Sequence, residues 1–272
     1  MRLRVAHSIV RHFDPPAPAV SQLLRLTPRN HEGQHVINWR IDVSIDARLN
    51  AHQDAFGNIT HFLSAAEPLD ALRISVVGEV ETQNGDGVVR GTVERFSPSL
   101  FLRDTLLTQA DQRIGNFARD IRESKKGDVL AELHLLLDRL HQEMRGEDQP
   151  SQTEAATAAE VFQRKRGVAR DLAHIFVGAA RSLSIPARFV AGYFCIDGVE
   201  QRSGHAWAEA YVPKLGWIKL GWIGFDPVKG VCPTEAYVRI AIGLDALGAI
   251  PIRGAHSGGS TEKLAVAIEV NQ

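Results

Sequence analysis

Near residue 104 the spacing of apolar residues changes from two to about 3.6, and this switch constrains the fold more than any other feature. Before it, side chains alternate. Trp39, Ile41, Val43 and Ile45 are separated by Arg40, Asp42 and Ser44, and Leu72, Ile74 and Val76 repeat the pattern expected of half-buried strands. Asp54 to Asn58 has turn composition, and Asn84-Gly85-Asp86-Gly87 predicts a hairpin turn. Pro15, Pro16 and Pro18 predict a loop that interrupts the first strand. The expected first domain, residues 1–100, is therefore a β domain whose sheets serve packing.

Beyond the switch the spacing is helical. Ile114, Phe117, Ala118 and Ile121 form a stripe behind a cap at Asp111, and Leu133, Leu136, Leu137, Leu140 and Met144 form a stronger one. His134 and His141 lie on that second helix seven positions apart, whereas metal-binding pairs on helices sit four apart, so both are read as solvent-facing. Gly146 to Gln152 reads as a polar linker. Thr157 and Glu160 have capping-box spacing, and the short helix they open ends near Arg164-Lys165-Arg166-Gly167, a basic triplet that suits a helix C-terminus better than nucleic acid. A further helix starts at about residue 169. Its apolar residues Leu172, Ala173, Phe176, Val177, Ala180 and Leu183 predict a buried face, and Ser184-Ile185-Pro186 stops it. Strands are expected over 188–194, 206–212, 224–226 and 264–270.

Composition narrows the function classes. The chain has 272 residues, 44% hydrophobic and 23% charged, with a formal charge of −1. That is globular, with no basic field for nucleic acid or an acidic membrane. Two cysteines, Cys195 and Cys232, are too few for a disulfide framework and suit a reducing compartment. With no apolar leader and no membrane-length apolar run, the expectation is a cytoplasmic protein. Gly258-Gly259 is read as a turn without phosphate-loop context, and no metal motif is present, so neither cofactor nor metal is expected.

Three ordered motifs carry the chemical signal: Gly167-Val168-Ala169-Arg170-Asp171-Leu172-Ala173-His174, then Gly204-His205-Ala206-Trp207-Ala208-Glu209, then Gly224-Phe225-Asp226-Pro227. With Ser182 to Arg188 and Arg25-Leu26-Thr27-Pro28-Arg29, the chain resembles the bacterial transglutaminase-like superfamily over nearly its whole length. The resemblance implies an α+β fold: a β-sandwich-like N-terminal domain, then over residues 101–272 a papain-like core with a helical lead-in and a C-terminal strand, its buried helix packed on an antiparallel sheet. It also implies a cysteine peptidase or transamidase whose nucleophile opens the buried helix, with His205 as base and Asp226 as its orienter. A helix N-terminus and an imidazolium lower a thiol's pKa, and backbone N–H groups at the helix start steady an oxyanion. Trp207 and His174 are the expected pocket residues, although a hydrogen-bonded helix histidine is the alternative for His174. Glu209 is read as facing solvent, and Asp171 as favouring the helix start.

The implied nucleophile position is Ala169. Acyl transfer cannot begin on a methyl group, and loss of a nucleophile costs on the order of a million-fold in rate. Neither cysteine opens a predicted helix, so both read as structural. Two origins fit the alanine. Retained His205, Trp207 and Asp226 favour an engineered form of an active enzyme. Natural loss is favoured by Ser184, which replaces the family's usual glycine, and by the repeat of Lys214-Leu215-Gly216-Trp217-Ile218 as Lys219-Leu220-Gly221-Trp222-Ile223. The repeat is expected to lengthen a hairpin loop. The adopted expectation is a pseudoenzyme that binds a peptide or amide, with an active partner subunit beside it; a scaffold with a collapsed cleft is the third reading.

Overall fold

The computed structural model describes residues 1–148, 156–195, 204–215, 218–257 and 261–272. The end of the predicted linker (Gln149 to Gln152), Gly216-Trp217 of the repeat and the Gly258-Gly259 turn lie outside them. The chain opens with β1 (Arg2–Ala17), β2 (Val20–Thr27), β3 (Gln34–Val43), β4 (Ala51–Gln53), β5 (Ile59–Ala65), β6 (Leu69–Thr82) and the short β7 (Val88–Val89). Helices α1 (Gln112–Lys125) and α2 (Val129–Glu143) follow, then β8 (Arg145–Gly146), α3 (Ala158–Arg164), β9 (Arg166–Gly167) and α4 (Ala169–Ser182). The rest is β10 (Ala187–Phe194), β11 (His205–Leu215), β12 (Ile218–Phe225), β13 (Tyr237–Gly243), α5 (Ala246–Ala249), β14 (Ile252–His256) and β15 (Thr261–Asn271).

Two four-stranded sheets, ordered β15-β1-β6-β3 and β14-β2-β5-β4, form the sandwich. Ile9 and Phe13 from β1 and Leu72, Ile74 and Val76 from β6 meet Val20 and Leu24 from β2, Leu63 from β5 and Ile252 from β14. The alternating residues of β6 thus face inward as their period predicts. Burying each such side chain contributes about 1.5–3 kcal/mol, against about 0–1 kcal/mol for an exposed ion pair, so this cluster holds the two sheets together.

Strand pairing departs from a division at residue 100. The last two strands return to the sandwich: β15 pairs with β1 from Arg4↔Asn271 to Asp14↔Thr261, and β14 pairs with β2. A β1 left at the sheet edge would present unpaired backbone groups, and β15 supplies their partners. In the opposite direction, β7 joins the core sheet. The Asn84–Gly87 turn is accordingly not a hairpin turn. It carries the chain from β6 in one sheet to β7 in another, with the Asp86 N–H on Asn84 Oδ1 at 3.0 Å. The proline segment also differs from expectation, because β1 runs on to Ala17 with a register irregularity between His12 and Ala17.

The core sheet, β13-β10-β11-β12-β7, carries α4 on one face. Alternation along β11 decides the layering. Ala208, Ala210 and Val212 pack with Leu172, Ile175, Phe176 and Val177 of α4, and these small side chains admit the helix closely. The opposite face, with Trp207, Trp222 and Tyr237, gathers Phe101 and half-buried Phe56 from the sandwich turn. Capping follows the sequence: Asp111 Oδ1 accepts the Ile114 N–H at 3.0 Å, and Thr157 and Glu160 form the capping box of α3. The outer edge of β13 is closed by side-chain amides. Asn58 exchanges two hydrogen bonds with the Ile242 backbone, and Gln34 two with that of Arg239, so the sandwich is fastened to the core.

Candidate active site

The start of α4 is built as its sequence predicts. Val168 precedes the helix in extended conformation, and Asp171 Oδ2 accepts the Val168 N–H at 3.3 Å. Ala169 is the first helical residue. It is half-buried and packs against an apolar cluster whose members include Ala173 of α4, Ala191 and Tyr193 of β10 and Ala206 of β11.

His205 and Asp226 meet directly. His205 Nε2 lies 2.5 Å from Asp226 Oδ2, although 21 positions separate the residues in sequence. The Asp226 carboxylate is fully buried and receives three further hydrogen bonds: to Oδ1 from the Val228 and Lys229 N–H groups at 2.9 and 3.2 Å, and to Oδ2 from the Tyr237 hydroxyl at 2.8 Å. With Nε2 committed to a carboxylate, the neutral imidazole carries its proton there and leaves the Nδ1 lone pair for another task.

The tandem repeat leaves this register intact, but by a different route from the loop expected. Backbone pairing continues through Lys214↔Lys219 and Leu215↔Ile218, so the duplicate extends the β11–β12 hairpin rather than its loop. Residues added on both sides of a turn change only the turn's parity, and pairs nearer the site, such as Glu209↔Gly224, keep their faces.

Trp207 is buried with its ring stacked beside His205, centroids 6.3 Å apart, and its edge against Tyr237. Gly192 makes room for it. A Cβ at that position would fall 2.7 Å from Trp207 Cη2 and 2.1 Å from the Val238 carbonyl oxygen. Behind Trp207 and Tyr237 lies a cavity of about 60 Å³, bordered also by Glu209, Arg239 and His31. That volume holds a few waters rather than a peptide.

His174 is wholly enclosed, and its Nε2 accepts the Ala246 N–H at 3.0 Å. Burial, with the Arg170 and Arg181 charges, pushes its imidazole down to about 3. This is the hydrogen-bonded helix histidine of the sequence reading, with no exposed surface to offer a ligand. His134 and His141 are exposed on α2 as expected, with His141 Nδ1 3.0 Å from the Val228 carbonyl oxygen.

Glu209 corrects the sequence reading. It is fully buried between Arg188 Nε at 2.7 Å and Arg239 Nε at 2.6 Å. Burial alone would raise its pKa, but the Arg239 and Arg188 charges and their hydrogen bonds outweigh that and hold it near 2. Arg188 also lies 3.8 Å over the Trp222 ring and reaches Glu94. The two thiols are placed for structure. Cys195 Sγ donates to the Val270 carbonyl oxygen, and burial pushes the Cys232 thiol up to about 11. No motif pointed to Tyr237, whose bond to Asp226 spans the turn after β12; its position at the head of the apolar, β-branched run Tyr237-Val238-Arg239-Ile240 was the available signal.

Among the described residues no group of three or more His, Cys, Asp or Glu side chains is arranged to hold a metal ion, and no helix is long and apolar enough to cross a membrane. A family model of the transglutaminase-like superfamily core matches residues 115–227, from α1 to the residue after Asp226, and one of the bacterial transglutaminase-like N-terminal region matches residues 3–81. The chain belongs to the transglutaminase-like superfamily. An uncharacterized protein of Mycobacterium leprae (strain TN) is 28% identical over 294 aligned residues, which take in 100% of this chain and 99% of that protein. YebA of Bacillus subtilis (strain 168), also uncharacterized, is 32% identical over 82 residues, 26% of this chain and 10% of YebA. The fold is shared with the crystal structure of a candidate cysteine protease from Cytophaga hutchinsonii, at a TM-score of 0.75, 20% identity and coverage of 100% of this chain and 91% of that one. Its transglutaminase-like core is thus papain-like, a buried helix against an antiparallel sheet, preceded by the superfamily's N-terminal sandwich.

Proposed function

We propose that this chain is a cysteine-peptidase-type member of the superfamily that has lost its nucleophile, and that it binds a peptide or amide without turning it over. One observation carries the reading: an alanine is the first residue of α4, where the resemblance expects cysteine, while His205 and Asp226 remain hydrogen-bonded at 2.5 Å. In a chain with cysteine there, His205 Nδ1 would take the thiol proton and the thiolate would attack the amide carbonyl carbon. N–H groups at the start of α4 would steady the oxyanion. Collapse of that adduct would expel the amine, protonated by His205, and leave a thioester for water or a second amine to open. With a methyl group the sequence halts at binding. Cys232, with its thiol held protonated, and Cys195, bonded to Val270, offer no substitute. An active partner subunit is the natural source of turnover in such an assembly, and a cytoplasmic setting fits a chain with two cysteines, too few for a disulfide framework.

The test restores the missing atom. Ala169→Cys should react with a thiol-directed acylating probe on the order of a hundred-fold faster than Cys195 or Cys232 in the same chain, as a thiolate assisted by a helix start and a base does. Labelling of the introduced thiol no faster than that of an ordinary exposed one would sink the assignment of residue 169 as a nucleophile position and remove the support for an engineered form of an active enzyme. The scaffold reading has one observation in its favour: every acceptor site of Asp226 is filled from within the fold, so the pair has a structural reason to persist.

A further inference from the structure

The four donors on Asp226 are not equivalent. Backbone N–H groups of Val228 and Lys229 take Oδ1, whereas Oδ2 is shared by His205 Nε2 at 2.5 Å and the Tyr237 hydroxyl at 2.8 Å. Tyr237 opens β13, on the far side of β10 from the strand that carries His205. Its buried ring is packed by Phe194 at 4.7 Å, Trp207 at 5.4 Å and His205 at 5.8 Å between centroids. Burial, and then the adjacent Asp226 charge, push the phenol well above its ordinary range. The hydroxyl keeps its proton and stands as a permanent donor.

We infer that Tyr237 is a positioning residue for the His205–Asp226 pair: by sharing Oδ2 with the imidazole it draws off part of the carboxylate's charge and limits the strength of the bond between them. An oxygen that accepts two hydrogen bonds offers each donor less charge than it would offer one alone. Tyr237 thereby also fixes the plane of the carboxylate, with Oδ1 turned to the backbone of the turn after β12 and Oδ2 turned to the ring. The pull that Asp226 exerts on Nε2 governs how strongly Nδ1 can attract a proton, so the phenol adjusts the base without touching a substrate. This concerns His205, Asp226 and Tyr237 alone, and it holds whatever the role of residue 169.

Proton NMR of the intact chain tests it. The Nε2 proton in a short imidazole–carboxylate bond gives a strongly deshielded resonance, assigned by its disappearance in His205→Gln. Tyr237→Phe keeps the ring and removes the competing donor, and the resonance should move downfield as the remaining bond tightens. Growth on 3-fluorotyrosine tests the opposite sense. The fluorinated phenol is a stronger donor, and of the chain's three tyrosines Tyr237 is the one bonded to Asp226, so the resonance should move upfield. A resonance that stays in place in both proteins, or moves the other way in either, overturns the inference. The fluorinated chain retains every tyrosine hydroxyl and still decides the question if the phenylalanine variant fails to fold.

Discussion

If Asp226 is held mainly by the fold, then Asp226→Ala and Asp226→Asn should differ sharply in stability. The alanine variant removes the acceptor for four donors. The Val228 and Lys229 N–H groups lie on a half-buried and an exposed residue and can regain water. The Tyr237 hydroxyl and His205 Nε2–H cannot, since Tyr237 is 5% exposed and the His205 side chain 10%. A buried donor left unpaired costs about 1–3 kcal/mol, so two of them place the loss at roughly 4 kcal/mol. Asparagine keeps an oxygen for the two backbone N–H groups. Its amide N–H groups face Nε2 and the phenol oxygen, each of which can turn from donor to acceptor, so the loss should stay near 1 kcal/mol. Urea unfolding followed by tryptophan fluorescence reads the difference. With a slope of about 2–3 kcal/mol per molar, the alanine midpoint should fall by roughly 1.5 M and the asparagine midpoint by less than 0.5 M. An alanine variant within about 1 kcal/mol of the native chain, or an asparagine variant as damaged as alanine, would refute the reasoning.

Other outcomes follow from single features. Ser184 sits at φ 59° between α4 and β10, a left-handed conformation that costs a side-chain-bearing residue more than glycine, so Ser184→Gly should stabilise the chain by about 0.5–1 kcal/mol in thermal unfolding despite the added freedom of the unfolded state. His174 is held neutral in the fold, with its pKa lowered from 6.5 to about 3. Below pH 6.5 the unfolded chain therefore binds a proton that the folded chain refuses, and stability falls with pH; His174→Gln should reduce that slope by about 1.4 kcal/mol per pH unit between pH 6 and 4, read from urea midpoints. Glu209 runs through a lower window. Its folded pKa near 2 lies below the ordinary 4.5, so its contribution is fully present above about pH 4.5 and is lost as pH drops toward 2, and carbon NMR should find its carboxylate still ionised at about pH 3.

Local periodicity made much of this molecule legible. Leu72, Ile74 and Val76 could be read as an inward face, Thr157 and Glu160 as a helix start, and Ser184-Ile185-Pro186 as a stop, because each signal lies within a few residues of its consequence. Strand partners are not local. The alternation of residues 264–270 announces a strand but not that it returns to β1, some 250 positions earlier, and so the boundary at residue 100 misplaced it. Glu209 failed for a related reason. Its alternation with Ala208 and Ala210 marks one buried face, while burial of the opposite face depends on Arg188, Arg239 and the sandwich arriving from elsewhere. His205 and Asp226 were found through motifs; Tyr237 belonged to none, and its role appears only when β13 is laid beside β10.

The unequal structural weight of the site residues bears on how a nucleophile could be lost alone. On the proposed reading, exchanging a thiol for a methyl at residue 169 removes one atom from a half-buried position at the start of a helix. The packing against the surrounding apolar cluster survives, and the hydrogen bonds of Asp226 are untouched. Exchanging Asp226 strands two enclosed donors on β11 and β13, the strands either side of β10, and exchanging His205 removes a donor from a buried carboxylate to which, among the described residues, no arginine or lysine side chain is bonded. Once turnover is no longer selected, the sulfur can go first while the acid and base stay, held by what they do for β11, β12 and β13. Persistence of His205 and Asp226 is therefore poor evidence that the chain was recently active. The stability gap between Asp226→Ala and Asp226→Asn measures how much of that persistence the fold itself explains.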